Sequence, residues 1–162
     1  CVGEKNFDWQ INLHGGDDNS LTWANLWVNN NYPQFIQEIL PLFYSKKCIF
    51  VGNVNANISK LPFIGKDFRI GSNAMINDIH IIDDIKKWIN DNNIKNHIFL
   101  FSASSFTNIA IYELFKDNAN NTFIDIGTCL TPMMDMPTER DYLQGFWGYR
   151  GSNSLNLICK WN

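Results

Sequence analysis

The chain has 162 residues, of which 45% are apolar and 14% aromatic, so it can form one domain with its own hydrophobic core. Its 13 basic and 16 acidic residues give a formal net charge of -3, and neither sign is gathered into a long run. These figures count against a nucleic-acid-binding or anionic membrane-binding surface, and they favour small molecules or proteins as partners.

The amino-terminal segment groups polar side chains directly after a short strand-like start. Glu4, Asn6 and Asp8 could hold a divalent cation or supply a general base, although solvated acids in a loop would show the same pattern. His14 precedes Gly15-Gly16 in a flexible loop, where its ring could face a ligand. We therefore treat these four side chains as candidates for ligand contact.

Helical patterns and buried strands alternate from residue 33 to residue 127. Apolar residues at three-and-four spacing predict helices over residues 33–43, 77–90 and 105–115. Continuous apolar runs predict strands buried on both faces over residues 47–52, 97–102 and 122–127, with a weaker strand over 68–71. This alternation predicts an α/β fold, with a Rossmann-like, wound, mostly parallel sheet flanked by helices, in a single domain over residues 1–162.

The last stretch of the chain, residues 128–162, is rich in Gly, Pro, Met and aromatic residues. Within it, only the run L-N-L-I-C-K-W at 155–161 has the pattern of a strand. We therefore expect a C-terminal covering segment that adds an edge strand to the sheet.

The four cysteines form no Cys-x-x-Cys pair, which counts against metal knuckles and thioredoxin-like chemistry. Cys48 and Cys159 lie in apolar runs and are interpreted as small buried hydrophobic residues, whereas Cys129 follows a strand end and has a reactive thiol as a minor alternative. The chain lacks both a stretch of roughly 20 apolar residues and the pattern of a signal peptide. We therefore expect a soluble cytoplasmic protein and, because it opens on Cys1, a domain excised from a longer chain.

Candidate ligand contacts lie where the predicted strands end, because loop amides and helix N-termini converge there in open α/β sheets. Asn53, Ser102 and Ser104 follow two of these strands, and Thr128 follows a third. Small hydroxylated residues would let backbone amides approach a phosphate, although ordinary helix capping by the serines is the alternative. Asn31 ends a run of three asparagines, whose amides suit sugar hydroxyls, although the high asparagine content of the whole chain explains the run equally well.

Asp125 is the most informative single residue, because a carboxylate within an otherwise apolar strand must be paired, protonated or functional. A catalytic role and an ion pair with a neighbour such as Arg140 are both open. The sequence contains no P-loop, G-x-G-x-x-G, G-x-S-x-G or H-E-x-x-H motif, which counts against common NTPases, dinucleotide enzymes, α/β-hydrolases and zincins.

The order of several short motifs, spread over nearly the whole chain, resembles that of the GT-D type glycosyltransferases. The strongest piece is N-T-F-I-D-I-G at 121–127, followed by T-E-R-D-Y at 138–142. The other pieces are Gly3-Glu4 with Asn6 and Asp8, V-N-N-N-Y-P at 28–33, I-F-V-G-N at 49–53 and C-K-W at 159–161.

This resemblance implies a domain that moves a sugar from a nucleotide donor, usually a UDP-sugar, to a hydroxyl of a glycan or protein acceptor, often with Mn²⁺ or Mg²⁺. Glu4 and Asp8 would contact the donor or the metal, with Glu4 also a candidate catalytic residue. Asp125 would be the base or an orienting residue, and Arg140 a clamp on the diphosphate. Tyr142, in the same segment, would bind the nucleotide as well.

The metal and the catalytic step are the open parts of this interpretation. No D-x-D or D-x-E metal motif occurs, and Thr131 stands where the resemblance predicts another acid. A non-catalytic nucleotide- or carbohydrate-binding domain of the same fold is therefore the alternative function. A methyltransferase ranks last. It would have a glycine-rich loop after the first strand, and residues 52–55 contain only one glycine.

Overall fold

The computed structural model describes residues 26–137 and 140–146. Within them, four parallel strands form one sheet: β1 (Cys48–Asn53), β2 (Ile64–Ile70), β3 (Ile98–Ser102) and β4 (Thr122–Asp125). Their order in the sheet is β2-β1-β3-β4. The predicted α/β class with a parallel sheet is confirmed, whereas the edge strand predicted over 155–161 lies outside the described residues.

The first helix, α1, spans residues 29–43 and changes pitch along its length. It passes through a 3-10 turn (Asn29–Asn31), an α-helical turn (Tyr32–Gln34), a π-helical stretch (Phe35–Ile39) and a last α-helical turn (Leu40–Phe43). Leu40 N donates to Phe35 O across the π-helical stretch. Pro41 follows at once, and because it lacks an N–H and crowds the preceding turn, a regular α-helical ladder cannot continue there.

Four further helices follow: α2 (Ala74–Asn77), α3 (Ile81–Asp91), α4 (Ser105–Asp117) and α5 (Asp141–Phe146). The helix predicted over 77–90 is confirmed over residues 81–90, but its predicted start is wrong, because Asp78 ends α2 and separates it from α3. The Asp78 carboxylate accepts a hydrogen bond from Gly71 N at 2.8 Å, which ties Asp78 to the loop before α2. In the described part of the chain, no helix has both the length and the apolar character needed to cross a membrane.

Strand β2 is also longer than predicted, because it begins at Ile64 and not near residue 68. Its first half carries the exposed residues Gly65 and Lys66. A strand at the edge of the described sheet does not need a continuous apolar run, so the sequence pattern shows only its buried end.

Two hydrophobic cores lie on the two faces of the sheet, because successive strand residues point to opposite faces. The core under α1 and α5 includes Phe50 and Leu100, and the core under α3 and α4 includes Val51 and Phe101. This double coverage explains why the central strands β1 and β3 are apolar throughout.

The strand order creates a topological switch point between β1 and β3. The chain leaves β1 toward β2 on one side, and then returns across the sheet to β3 on the other side. Gly52 pairs with Ser102 in this register, so the ends of the two strands lie side by side. In open α/β sheets, such a crevice is the usual ligand-binding position.

Candidate functional site

Two neighbouring clefts lie at the carboxyl edge of the sheet, on either side of a shared ridge. The ridge consists of Asn53 at the end of β1 and residues 102–104 at the end of β3. The cleft toward β4, here called the β4-side cleft, has a volume of about 620 Å³, and the β2-side cleft has about 350 Å³. Both volumes lie in the range of small-molecule sites.

Beyond the ridge, the two clefts have different linings. The β4-side cleft is completed by Val28, Asn29, Asn108, Asp125, Gly127, Thr128, Thr131, Met134, Met136, Pro137, Arg140 and Tyr142. The β2-side cleft is completed by Ile70, Gly71, Asn73, Ala74, Met75, Ile76, Ser105 and Phe106. Charged side chains in these linings occur only in the β4-side cleft.

The end of β1 is held by a turn and by an arginine. Asn53 Oδ1 accepts a hydrogen bond from Asn55 N at 2.8 Å, which leaves the Asn53 amide nitrogen for a ligand. Arg69, on the neighbouring strand β2, donates to Asn53 O at 3.1 Å and to Ala56 O at 2.7 Å. Its guanidinium also pairs with Asp67 and lies over the Phe50 ring. The position of Asn53 in the ridge therefore depends on Arg69.

The end of β3 has an unusual backbone conformation. Ser104 has φ 51° and ψ -138°, a region that residues other than glycine rarely enter, and it turns the chain sharply from β3 into α4. The Ser104 side chain makes no capping hydrogen bond to the first turn of α4. Thr107 N donates to Ser104 O at 3.0 Å, and the earlier amides of that turn, with the positive end of the helix dipole, face the ridge without a side-chain cap.

Replacing Ser104 by glycine is expected to raise the stability of the domain. Glycine adopts the Ser104 conformation without steric cost, so the strain is relieved. The greater backbone entropy of glycine in the unfolded chain offsets part of this gain, and the net increase in the free energy of unfolding is about 1 kcal/mol. Thermal unfolding should show a midpoint about 2–4 °C higher than that of the parent. Ser104→Ala keeps the Cβ and serves as the control; a similar rise for alanine would contradict the strain interpretation.

Asp125 is the last residue of β4 and is exposed at the cleft, which corrects its predicted position in the middle of a buried strand over 122–127. The strand stops here because the chain turns at Gly127, whose φ of +53° suits glycine. Asp125 Oδ1 accepts a hydrogen bond from Gly127 N at 2.9 Å. Crowding by protein atoms raises the carboxyl pKa through desolvation, and the Gly127 bond opposes part of this rise.

Thr128 and Tyr142 form one polar contact on the wall of the β4-side cleft. Their hydroxyl oxygens lie 2.6 Å apart. The Tyr142 ring packs edge-on against Tyr32, with centroids 5.1 Å apart, and Tyr32 OH donates to Cys129 O at 2.8 Å. This packing attaches α5 to the first helix and to the loop after β4.

Burial raises the pKa values of Tyr142 and Cys129, so both groups remain protonated near neutral pH. The Cys129 thiol is buried and donates to Trp27 O at 3.2 Å. A reactive thiolate is therefore not favoured at Cys129. The hydroxyl of Tyr142 can act only as a neutral hydrogen-bonding group.

The structure gathers seven of the predicted ligand contacts into the lining of the β4-side cleft. They are Asn53, Ser102, Ser104, Asp125, Thr128, Arg140 and Tyr142. Asn31 does not join them, because it is buried at the start of α1, whereas Asn29 of the same asparagine run lines the cleft. Glu4, Asn6, Asp8 and His14 lie outside the described residues.

Sequence reasoning missed Asn73 and Asn108, and within the asparagine run 29–31 it selected Asn31, whereas Asn29 lines the cleft. Asn29 and Asn73 have φ values of 59° and 54°, a conformation that asparagine adopts more readily than most residues. Asn108 lies one turn into α4, on the side of the β4-side cleft. Such positions depend on turn geometry and helix orientation, so composition alone could not separate them from the many other asparagines.

Metal binding was expected at Glu4 and Asp8, which the structure does not describe. Over residues 26–137 and 140–146, no three His, Cys, Asp or Glu side chains come together as a metal site. Asp125 is the one carboxylate in the described lining of the two clefts. The described residues by themselves therefore do not fit a metal ion.

The chemistry of the clefts has to be inferred from their own side chains. A carboxylate with a raised pKa, a guanidinium, uncapped helix amides and several neutral amides and hydroxyls meet along one sheet edge. This combination can accept a proton, stabilise an anion and bind hydroxyl groups. No family model, curated protein or solved structure matches the chain.

Proposed function

We propose that the domain transfers a sugar from a nucleoside diphosphate donor, a UDP-sugar, to a hydroxyl group of a glycan or protein acceptor, as the GT-D type glycosyltransferases do. One observation carries the proposal: Asp125 and Arg140 line a single cleft beside the N-terminus of α4, at the switch point of the sheet. A group that accepts a proton and groups that bind an anion are the two requirements of this reaction.

Asp125 is the base in this proposal. It takes the proton of the acceptor hydroxyl while that oxygen forms a bond to the anomeric carbon of the sugar. The bond from the anomeric carbon to the diphosphate breaks at the same centre, and UDP leaves. The raised pKa of Asp125 supports this role, because a carboxylate with a higher proton affinity is a stronger base.

Arg140 and the first turn of α4 stabilise the departing diphosphate. Arginine binds phosphate oxygens through two parallel N–H groups, and the amides of an uncapped helix N-terminus add further donors. Both groups are present before the reaction, so they oppose the developing negative charge without rearrangement.

A second function, a nucleotide- or carbohydrate-binding domain without catalysis, is favoured by a separate observation. The described lining contains one carboxylate, and that carboxylate is exposed and hydrogen-bonded to its own loop. Such a domain would bind the donor through the same ridge without breaking the sugar bond.

A thermal-shift screen tests the proposed function first. The purified domain is heated with UDP, GDP, CMP, several UDP-sugars or S-adenosylmethionine, each with and without Mn²⁺. A ligand that binds only the native state raises the unfolding midpoint, and about 100 Kd of ligand adds roughly 2.7 kcal/mol. We expect UDP and a UDP-sugar to raise the midpoint, and S-adenosylmethionine to leave it unchanged.

Release of UDP from the binding UDP-sugar then separates the two functions. Release in the presence of an acceptor supports the transferase, and binding without release supports the non-catalytic domain. If no nucleotide or nucleotide sugar raises the midpoint, the transferase and the nucleotide-binding domain are both wrong, and of the two proposed functions only carbohydrate binding without a nucleotide is left.

Replacing Arg140 by alanine is expected to weaken UDP binding by about tenfold or more, because a charge-assisted contact to the diphosphate is lost. Because Arg140 is exposed, we expect the Arg140→Ala protein to lose affinity for UDP while its unfolding midpoint changes little. Isothermal titration calorimetry with UDP measures the effect. Lys46→Ala, which removes an exposed charge before β1, is the matched control, and equal affinities for Arg140→Ala and the parent would remove Arg140 from the site.

A further inference from the structure

The two clefts beside the ridge differ in charge. The described lining of the β2-side cleft contains no ionisable side chain, whereas the β4-side cleft contains Asp125 and Arg140. A nucleotide sugar is divided in the same way. Its nucleoside is neutral, whereas its diphosphate is charged and the bond between the diphosphate and the sugar is the one that reacts. We propose that the β2-side cleft binds the nucleoside of the donor, with the diphosphate on the ridge and the sugar in the β4-side cleft.

This inference rests on the proposed function and adds the position of each part of the donor. It also gives a role to the smaller cleft, in which no acid-base group is present. The volume of about 350 Å³ is at the lower end of small-molecule sites, as expected for one part of a larger ligand.

The walls of the β2-side cleft suit a flat, neutral ring. Ala74, Met75 and Ile76 provide an apolar surface, and Ile76 is 78% exposed. A nucleobase packed against these side chains would remove their apolar surface from water. Asn53 and Asn73 add amide groups that can meet the polar edge of a base or the hydroxyls of a ribose.

The loop that forms this cleft is already fixed by hydrogen bonds. The Asp78 carboxylate accepts from Gly71 N at 2.8 Å, and Asn77 Nδ2 donates to Ser72 O at 2.9 Å. Both side chains follow the loop in sequence and hold it from the side of α2. A wall fixed before binding loses little conformational entropy when a ligand enters, which favours affinity for a small neutral group.

The ridge makes the two clefts parts of one site. Asn53 and Ser104 line both, and the uncapped first turn of α4 starts between them. An anion bound at this turn would have one side open to the neutral cleft and the other to the charged one. A diphosphate, which links a nucleoside to a sugar, has this connectivity.

Isothermal titration calorimetry with UDP and with uridine tests the assignment. Ile76→Ala removes the exposed wall, and Asn73→Gly removes an amide at a backbone conformation that glycine adopts readily. Ile79→Ala is the matched control, because Ile79 is exposed nearby on the loop before α3 and lines neither cleft. Asn108→Ala makes the corresponding change in the β4-side cleft.

We expect Ile76→Ala to raise the Kd of both UDP and uridine by about 5- to 10-fold, since both ligands share the lost apolar contact. Asn73→Gly should also raise the Kd of both ligands, and Ile79→Ala should have the same Kd values as the parent. If Asn108→Ala weakens uridine while Ile76→Ala does not, the nucleoside lies in the β4-side cleft and the inference is wrong, although the proposed function stands. If the parent binds neither UDP nor uridine, the proposed function fails first.

Photo-crosslinking gives a second measurement that uses the parent protein. The probe is 5-iodo-UDP, and trypsin is expected to release residues 70–86, between Arg69 and Lys86, as one peptide. An adduct on that peptide supports the assignment. An adduct on residues 117–140 would place the base in the β4-side cleft and overturn it.

Discussion

Replacing Asp125 by asparagine is expected to lower the rate of sugar transfer by about 10²- to 10⁴-fold, because the variant loses the group that accepts the acceptor proton. The asparagine side chain keeps an oxygen that can accept the hydrogen bond from Gly127 N. The turn after β4 should therefore persist, and UDP affinity should change much less than the rate. The measurement is the turnover of a UDP-sugar with a hydroxyl acceptor under saturating donor.

The pH dependence of the parent provides an independent readout. Asp125 must be ionised to act as a base, so the rate should rise with pH through a pKa above the ordinary value of 3.8. The stability effect has the opposite sign. A raised pKa means that the native state binds the proton more tightly than the unfolded state does, so ionisation lowers the free energy of unfolding as pH rises from 3.8 through the native pKa.

Asp125→Asn does not ionise, so it should be at least as stable as the parent at pH 7 and lose that advantage at acidic pH. Denaturant unfolding at both pH values measures the difference. An unfolded variant at pH 7 would indicate a structural role for Asp125, and a folded variant with the parent's transfer rate would remove it from catalysis.

Replacing Arg69 by alanine is expected to destabilise the domain by about 2–4 kcal/mol, which corresponds to a fall of roughly 5–15 °C in the unfolding midpoint. Arg69 is only partly exposed and donates to two backbone carbonyls, pairs with Asp67 and covers the Phe50 ring. The alanine variant leaves both carbonyls without this donor. Differential scanning calorimetry checks the expected change.

The Arg69 series also tests whether the ridge depends on this residue. Arg69 lines neither cleft, yet it donates to the carbonyl of Asn53, so Arg69→Ala should also weaken UDP binding at a temperature where it is folded. Arg69→Lys keeps the positive charge but lacks the planar guanidinium group. Its stability and its affinity for UDP should lie between those of Arg69→Ala and the parent. Lys66→Ala on the same strand is the control, and a loss of stability as large as that of Arg69→Ala would point to a general effect of charge on β2.

The two ends of the ridge are held by different physical means. At β1, the backbone is fixed by hydrogen bonds from a neighbouring strand. At β3, a strained serine turns the chain directly into α4. A ridge held from both ends can present helix amides in a fixed position, which is the condition for electrostatic stabilisation of a departing diphosphate.

The sequence by itself determined the fold class and the positions where the central strands end. Strands β1 and β3 are buried on both faces, so their apolar runs are continuous and visible in the sequence. The ligand contacts predicted at Asn53, Ser102 and Thr128 follow from the general rule that ligands bind at the carboxyl edge of such a sheet.

The tertiary structure alone decided which of these positions face a common cleft. Asp125 proved to be at an exposed strand end, since the turn at Gly127, and not the length of the apolar run, terminates β4. The interruption at Asp78 depends on a hydrogen bond to the amide of Gly71, seven residues earlier in the chain. The division into a neutral and a charged cleft depends on strand order and helix placement, which arise from packing between segments far apart in sequence and leave no local pattern.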